Sequence, residues 1–79
     1  MPKFPMDAPL TRVIKALACL GFDVVREGNH VSLSRLNDDG TSTPMTLPNH
    51  AKLKSSTLRN CLRQSGIDLD EFLDAYDTV

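Results

Sequence analysis

His30 stands in Arg26-Glu27-Gly28-Asn29-His30-Val31, directly after a Gly-Asn turn signal and at the head of a short alternating run. An unperturbed imidazole titrates close to neutrality, so it can both take and give a proton there. A second segment, Thr46-Leu47-Pro48-Asn49-His50, leads into Lys52, Lys54, Arg59 and Arg63, with no acid anywhere in residues 40–67. An acid–base group paired with a basic helix start suits RNA phosphodiester chemistry. RNA carries its own nucleophile, the 2′-OH, which can attack the adjacent phosphorus without a metal. A protein must hold that oxygen in line, accept its proton and offset the charge that builds on the phosphate. A general base is worth about 10²–10⁴-fold; positioning and fixed positive charge supply the rest. On this reading His30 is the candidate base. Lys52, Lys54 and the start of the following helix, around Ser55, Ser56 and Thr57, are candidate phosphate binders. Arg59 and Arg63 extend the backbone track. His50 reads as a loop or helix-entry residue, with phosphate contact or proton donation as its alternative roles. Each residue also has a plainer reading. An exposed strand histidine is ordinarily a surface residue, and a Lys/Arg run is ordinarily a solvated helix face.

Size and composition limit what surrounds these residues. The chain has 79 residues, which predicts one domain, 1–79, with a modest core. Aromatic residues are few and Trp is absent, so the core must rest mainly on Leu, Val and Ile. A deep small-molecule cavity of about 300 Å³ or more does not fit such a domain, whereas a large partner, nucleic acid or protein, does. Formal net charge is −1, yet residues 68–79 carry Asp68, Asp70, Glu71, Asp74 and Asp77 with no base, in contrast to the acid-free stretch before them. The local patch is therefore more informative than the bulk charge. Cys19 and Cys61 have no metal-ligand spacing and read as reduced structural residues; no metal or other cofactor is expected. The start Met1-Pro2-Lys3-Phe4-Pro5 lacks the apolar run of a signal peptide, and no segment has the apolar length of a membrane span. A cytoplasmic location is the expectation.

The elements that must hold the site follow from periodicity and turn chemistry. Residues 1–8 read as an irregular lead-in broken by Pro2 and Pro5. Asp7 or Ala8 opens a first helix with Pro9 early in it; Leu10, Val13, Ile14 and Leu17 form its apolar stripe, and Gly21 ends it. Residues 22–27 read as a strand, Gly28-Asn29 as a tight turn whose residues tolerate positive φ, and residues 30–36 as a second strand. There Val31 and Leu33 face one way, and His30, Ser32 and Ser34 the other. After a turn at residues 37–40, residues 41–47 form a third strand with Met45 and Leu47 inward, on an edge because Pro44 cannot donate to a ladder. Residues 48–54 read as a loop. Ser55 or Ser56 caps a second helix with Leu58, Cys61, Leu62 and Ser65 inside and Arg59 and Arg63 on a solvent-facing side. Gly66 ends that helix. Asp68 and Glu71 have capping-box spacing ahead of a third helix striped by Leu69, Phe72, Leu73 and Tyr76. The order α-β-β-β-α-α predicts a two-layer α+β domain, its antiparallel sheet covered on one face and open on the other.

The helix end Leu20-Gly21-Phe22, the Arg26-x-Gly28-x-His30 turn-strand, the Leu47-Pro48-x-His50 segment and Lys54-x-x-Thr57-Leu58-Arg59-x-x-Leu62-Arg63-Gln64-x-Gly66-Ile67 occur in an order that resembles the HicA toxin family, over roughly residues 10–70. The resemblance implies a fold like a double-stranded-RNA-binding domain and the activity of a metal-independent mRNA endoribonuclease, with one catalytic histidine after the Gly-x turn. By position that histidine is His30. It also implies a HicB-like antitoxin partner that covers the active surface. The chain departs from the family pattern in Gly28-Asn29-His30, where Ser or Gly often precedes the histidine, in Ser56, where Gly is frequent, and in a longer polar loop over residues 37–43.

Other function classes fit less of the pattern. A non-catalytic RNA-binding module would use the same basic surface without turnover. A helix-turn-helix DNA binder would need the third helix as its recognition helix, and Asp70, Glu71, Asp74 and Asp77 on it repel DNA phosphates. A purely structural interaction protein would bind a partner and leave RNA untouched.

Overall fold

Apolar and polar residues alternate along residues 30–36, and this makes the segment the half-buried central strand of the sheet. The computed structural model of the chain describes residues 4–79; Met1 to Lys3, and with them Pro2 of the expected lead-in, lie outside the described residues. The order of elements is β1 (Asp7–Pro9), α1 (Leu10–Cys19), β2 (Phe22–Glu27), β3 (His30–Leu36), β4 (Ser42–Pro48), β5 (Lys52–Lys54), α2 (Ser55–Gln64) and α3 (Leu69–Thr78). Strands β2, β3 and β4 form one antiparallel sheet in that spatial order, and β1 pairs with β5 in a second, two-stranded sheet. Pro44 lies on the edge strand β4, as its missing N–H requires.

Register sorts the two faces of the larger sheet. Val31 pairs with Leu47 and Leu33 with Met45, and all four are buried. His30, Ser32 and Ser34 pair with Pro48, Thr46 and Pro44 on the opposite face, where none of the six is buried. The buried face meets Val13, Ala16 and Leu17 of α1, Leu58 and Leu62 of α2, and Phe72, Leu73 and Tyr76 of α3 in one apolar cluster. The result is the expected α+β arrangement of helices over one face of a three-stranded antiparallel sheet.

Strand β2 contains an irregularity with consequences for the site. Val24 pairs with Leu33, but the next pair is Arg26 with Ser32, so Val25 is an extra residue, a β-bulge. In an unbroken strand Arg26 would share the face of Phe22 and Val24. The bulge reverses that parity and puts Arg26 across from Ser32, on the open face.

The helices are anchored partly as the sequence predicts. Gly21 follows α1 with φ +95° and donates its N–H to Ala18 O at 3.1 Å, the left-handed helix end that glycine adopts without a Cβ penalty. Asp68 caps α3, but its carboxylate accepts the N–H of Asp70 at 2.9 Å rather than that of Glu71. Arg12 ties α1 to α3. Its guanidinium lies 4.0 Å from the centre of the Tyr76 ring and donates two hydrogen bonds to Tyr76 O. Helix α3 thus turns its apolar stripe into the core and its acids to solvent, which is not the posture of a DNA-recognition helix.

Four local expectations are corrected. Asp7 to Pro9 is not the first turn of a helix but a strand, paired with Lys52 to Lys54, which is therefore not loop. Ala8 and Leu53, the central pair, are buried. The ladder joins residues far apart in sequence and is too short to display a period. Neither Ser55 nor Ser56 caps α2: β5 runs up to Lys54, which is the N-cap and makes no side-chain bond, so both serines already lie within the helix, and the Ser55 N–H is satisfied by Met6 O at 3.1 Å. Finally, neither Gly28 nor Asn29 has positive φ, so the two-residue hairpin turn is not of the kind their types suggest.

A clasp holds that turn instead. Asn49 donates its Nδ2 to Gly28 O at 2.8 Å and its backbone N–H to Asn29 O at 3.4 Å, while Gly28 donates its N–H to His30 O at 3.1 Å. The segment after β4 thereby grips the turn before β3 and fixes where His30 begins. Asn49→Ala is expected to lower the unfolding free energy by about 0.5–1 kcal/mol, as for one hydrogen bond near the surface, and to speed amide exchange at Gly28. Urea unfolding and hydrogen exchange measure both, and no change in either would mean that the clasp is not holding the turn.

Candidate functional site

The open face of the sheet positions His30 at one end of β3. Its imidazole is exposed, and its strand neighbours leave it accessible: Pro48 on β4, and Gly28 across the β2 side, where an added Cβ would meet nothing within 4 Å. Arg26, Gly28, Asn29, His30, Ser32 and Thr46 line an open hollow of about 420 Å³. Five of the six are exposed and Ser32 is half-buried. This is a surface hollow rather than a deep cavity, and it suits a chain laid across the sheet more than an enclosed small molecule. The cation in it is Arg26, which charge and spacing alone did not single out. The signal was present in the sequence as two consecutive valines, where strict alternation would allow one.

The candidate phosphate binders separate into two groups. Pro48, His50, Lys52, Leu53, Lys54 and Thr57 line a second hollow of about 240 Å³. Pro48, the cross-strand partner of His30, lines this second hollow and not the first, and none of His50, Lys52, Lys54 and Thr57 lines the hollow of His30. Ser55 is half-buried and Ser56 exposed, and neither lines the hollow. Because the Ser55 N–H is bonded to Met6 O, the start of α2 offers one fewer free N–H to an anion. Arg59 and Arg63 are exposed but lie on the far side of the Leu58–Leu62 stripe from β4. The Arg59 guanidinium sits 5.1 Å from the centre of the Phe4 ring, which in turn packs against Phe72 of α3 with centroids 6.2 Å apart. Through that stack Arg59 is turned toward α3 and not toward the sheet. The stripe of α2 that does face β4 carries Cys61, Gln64 and Ser65, with Ser65 donating to Pro44 O at 2.9 Å.

Cys61 is half-buried, and burial pushes its thiol pKa up from the ordinary value. A raised pKa keeps the sulfur protonated near neutrality, which suits a packing residue and not a nucleophile. Among the described residues no group of three or more His, Cys, Asp or Glu is placed to hold a metal ion. Alkylation by iodoacetamide at pH 7.5 is expected to be slower at Cys61 than at the exposed Cys19. Peptide mass spectrometry reads the two rates, and a faster Cys61 would contradict the assignment.

No helix of the described residues is long and apolar enough to cross a membrane. No curated protein matches the sequence. The model of one protein family, described as "HicA toxin of bacterial toxin-antitoxin", matches residues 11–67. That span runs from α1, through all three strands of the larger sheet and the hollow around His30, to the residue after the glycine that ends α2. With well over half its length matched, the chain belongs to the HicA toxin family.

Proposed function

We propose that this chain is the toxin of a type II toxin–antitoxin pair and acts as a metal-independent mRNA endoribonuclease with His30 as its general base. The observation that carries this reading is an accessible imidazole in a hollow on the uncovered sheet face that Arg26 also lines, with Lys52 and Lys54 lining a second hollow that includes Pro48, the cross-strand partner of His30. Family membership supports the toxin role.

The chemistry follows from that arrangement. RNA lies over the open face with a 2′-OH facing the His30 imidazole. His30 removes its proton, the 2′-oxygen forms a bond to phosphorus, and the bond to the 5′-oxygen breaks; that oxygen leaves and takes a proton. The products are a 2′,3′-cyclic phosphate and a 5′-hydroxyl. Lys52, Lys54, His50 and Thr57 hold the neighbouring backbone in the adjoining hollow, and their contribution is electrostatic and salt-dependent. A fold resembling a double-stranded-RNA-binding domain is consistent with use of the sheet and a helix start for the backbone. A HicB-like antitoxin would inhibit by covering the same surface.

His30→Ala is expected to reduce cleavage of RNA, with chelator present, by about 10²–10⁴-fold, the usual range for a general base, while circular dichroism stays unchanged. Purified wild-type and variant proteins assayed side by side measure this. Equal cleavage by a folded variant removes His30 from the mechanism. RNA binding without cleavage by the wild type would favour the non-catalytic binding module instead.

A further inference from the structure

The five arginines of the chain are not in equivalent settings. Arg12 is bonded to Tyr76 O and stacked on its ring. Arg35 donates to Asn37 Oδ1 at 3.3 Å and lies 5.0 Å from the Phe22 ring centre. Arg59 covers Phe4. Arg63 faces solvent on the flank of α2 away from the sheet. Arg26 alone lines the hollow of His30, and among the described residues its guanidinium has neither a hydrogen-bond partner nor an aromatic ring beneath it. It reaches that position only because Val25 is an extra residue in β2. Bulges interrupt a ladder and leave a residue unpaired, at a cost in pairing, and they re-aim the side chains that follow. Here the side chain re-aimed onto the open face is a cation.

The placement is geometrically apt. Arg26 pairs with Ser32, and His30 is two residues along β3 from Ser32, which makes it the diagonal neighbour of Arg26. Diagonal cross-strand neighbours are about 7–8 Å apart at the backbone, within reach of long side chains. A phosphate between the two would meet an imidazole on one side and a planar fork of N–H donors on the other. A guanidinium matches two phosphate oxygens at once, which a lysine ammonium cannot.

We propose that Arg26, delivered by the β-bulge at Val25, is the catalytic cation of the site: it binds the non-bridging oxygens of the scissile phosphodiester and offsets their charge as the 2′-oxygen attacks. This assignment rests on the ribonuclease reading above. It separates the charge that acts on the reacting phosphate, Arg26, from the charges that hold the flanking backbone, Lys52 and Lys54.

Two measurements test it. Cleavage of RNA is compared for wild type, Arg26→Ala, Arg26→Lys and a control, Lys15→Ala, on the helical layer away from the sheet's open face. Binding of a single-stranded 2′-O-methyl oligonucleotide, which cannot be cut, is measured against salt for the same proteins. Arg26→Ala is expected to lower kcat/KM by about 10²–10³-fold, the usual loss for one preorganised donor at developing charge. It should also reduce the slope of log K against log salt by about 0.7, the value for one phosphate contact on a single strand. Arg26→Lys should regain most of the salt slope and less of the rate, and Lys15→Ala should change neither. Wild-type rate and salt slope in Arg26→Ala would overturn the proposal and leave the ribonuclease reading standing. If the wild type cuts no RNA, the ribonuclease reading fails and the catalytic role of Arg26 with it.

Discussion

The pairing register of β3 is the constraint on which the rest of the molecule depends. Val31 and Leu33 are buried against Leu47 and Met45. A one-residue slip of β3 would turn both outward and place Ser32 and Ser34 in the core. Re-exposing two such side chains costs about 3–6 kcal/mol, a large share of the roughly 5–15 kcal/mol that stabilises a small domain. The same parity that buries those residues makes His30 and Ser32 face outward. The histidine side chain is therefore held at the surface by the packing on the other side of its own strand.

Two devices refine that frame, and both act through the backbone. The bulge at Val25 reverses the parity of β2 after Val24 and turns Arg26 to the open face. The Asn49 clasp ties the turn at Gly28 and Asn29 to the segment that follows β4. One brings a cation toward the histidine, and the other ties the turn in residues 26–31 to the segment 46–50. The small sheet of β1 and β5 has a different task. Leu10 donates its N–H to Ala51 O and Ser55 to Met6 O, so the starts of α1 and α2 are joined through the same ladder, and Lys52 and Lys54 are held in extended chain beside Pro48.

The uneven charge along the chain takes on physical sense in this arrangement. Acids on α3 lie outside a helix whose apolar face is sunk against α1, away from the open face of the sheet. The lysines sit next to the histidine hollow, whereas Arg59 is stacked over Phe4 on the other flank of α2. A basic run in sequence is thus divided by one helix into a part beside the site and a part that packs toward α3.

Much of this was legible in the residues themselves. Alternation in residues 30–36 gave the central strand and the outward histidine, Pro44 marked an edge, Gly21 and Gly66 marked helix ends, and the ordered motifs pointed to the family that the matched residues establish. These are local properties, each decided by side-chain type within a few residues. What only the tertiary structure decided was non-local. The ladder between β1 and β5 joins segments more than forty positions apart and is three residues long, too short to leave a periodic trace. The strand β5, held by β1, places the start of α2 at Ser55, so the expected serine caps lie inside the helix and the Met6 carbonyl takes the Ser55 N–H. The split of the cations, and the arrival of Arg26 beside His30, depend on which residue of one strand faces which of another. A single inserted residue changes that, and no count of charge or hydropathy registers it.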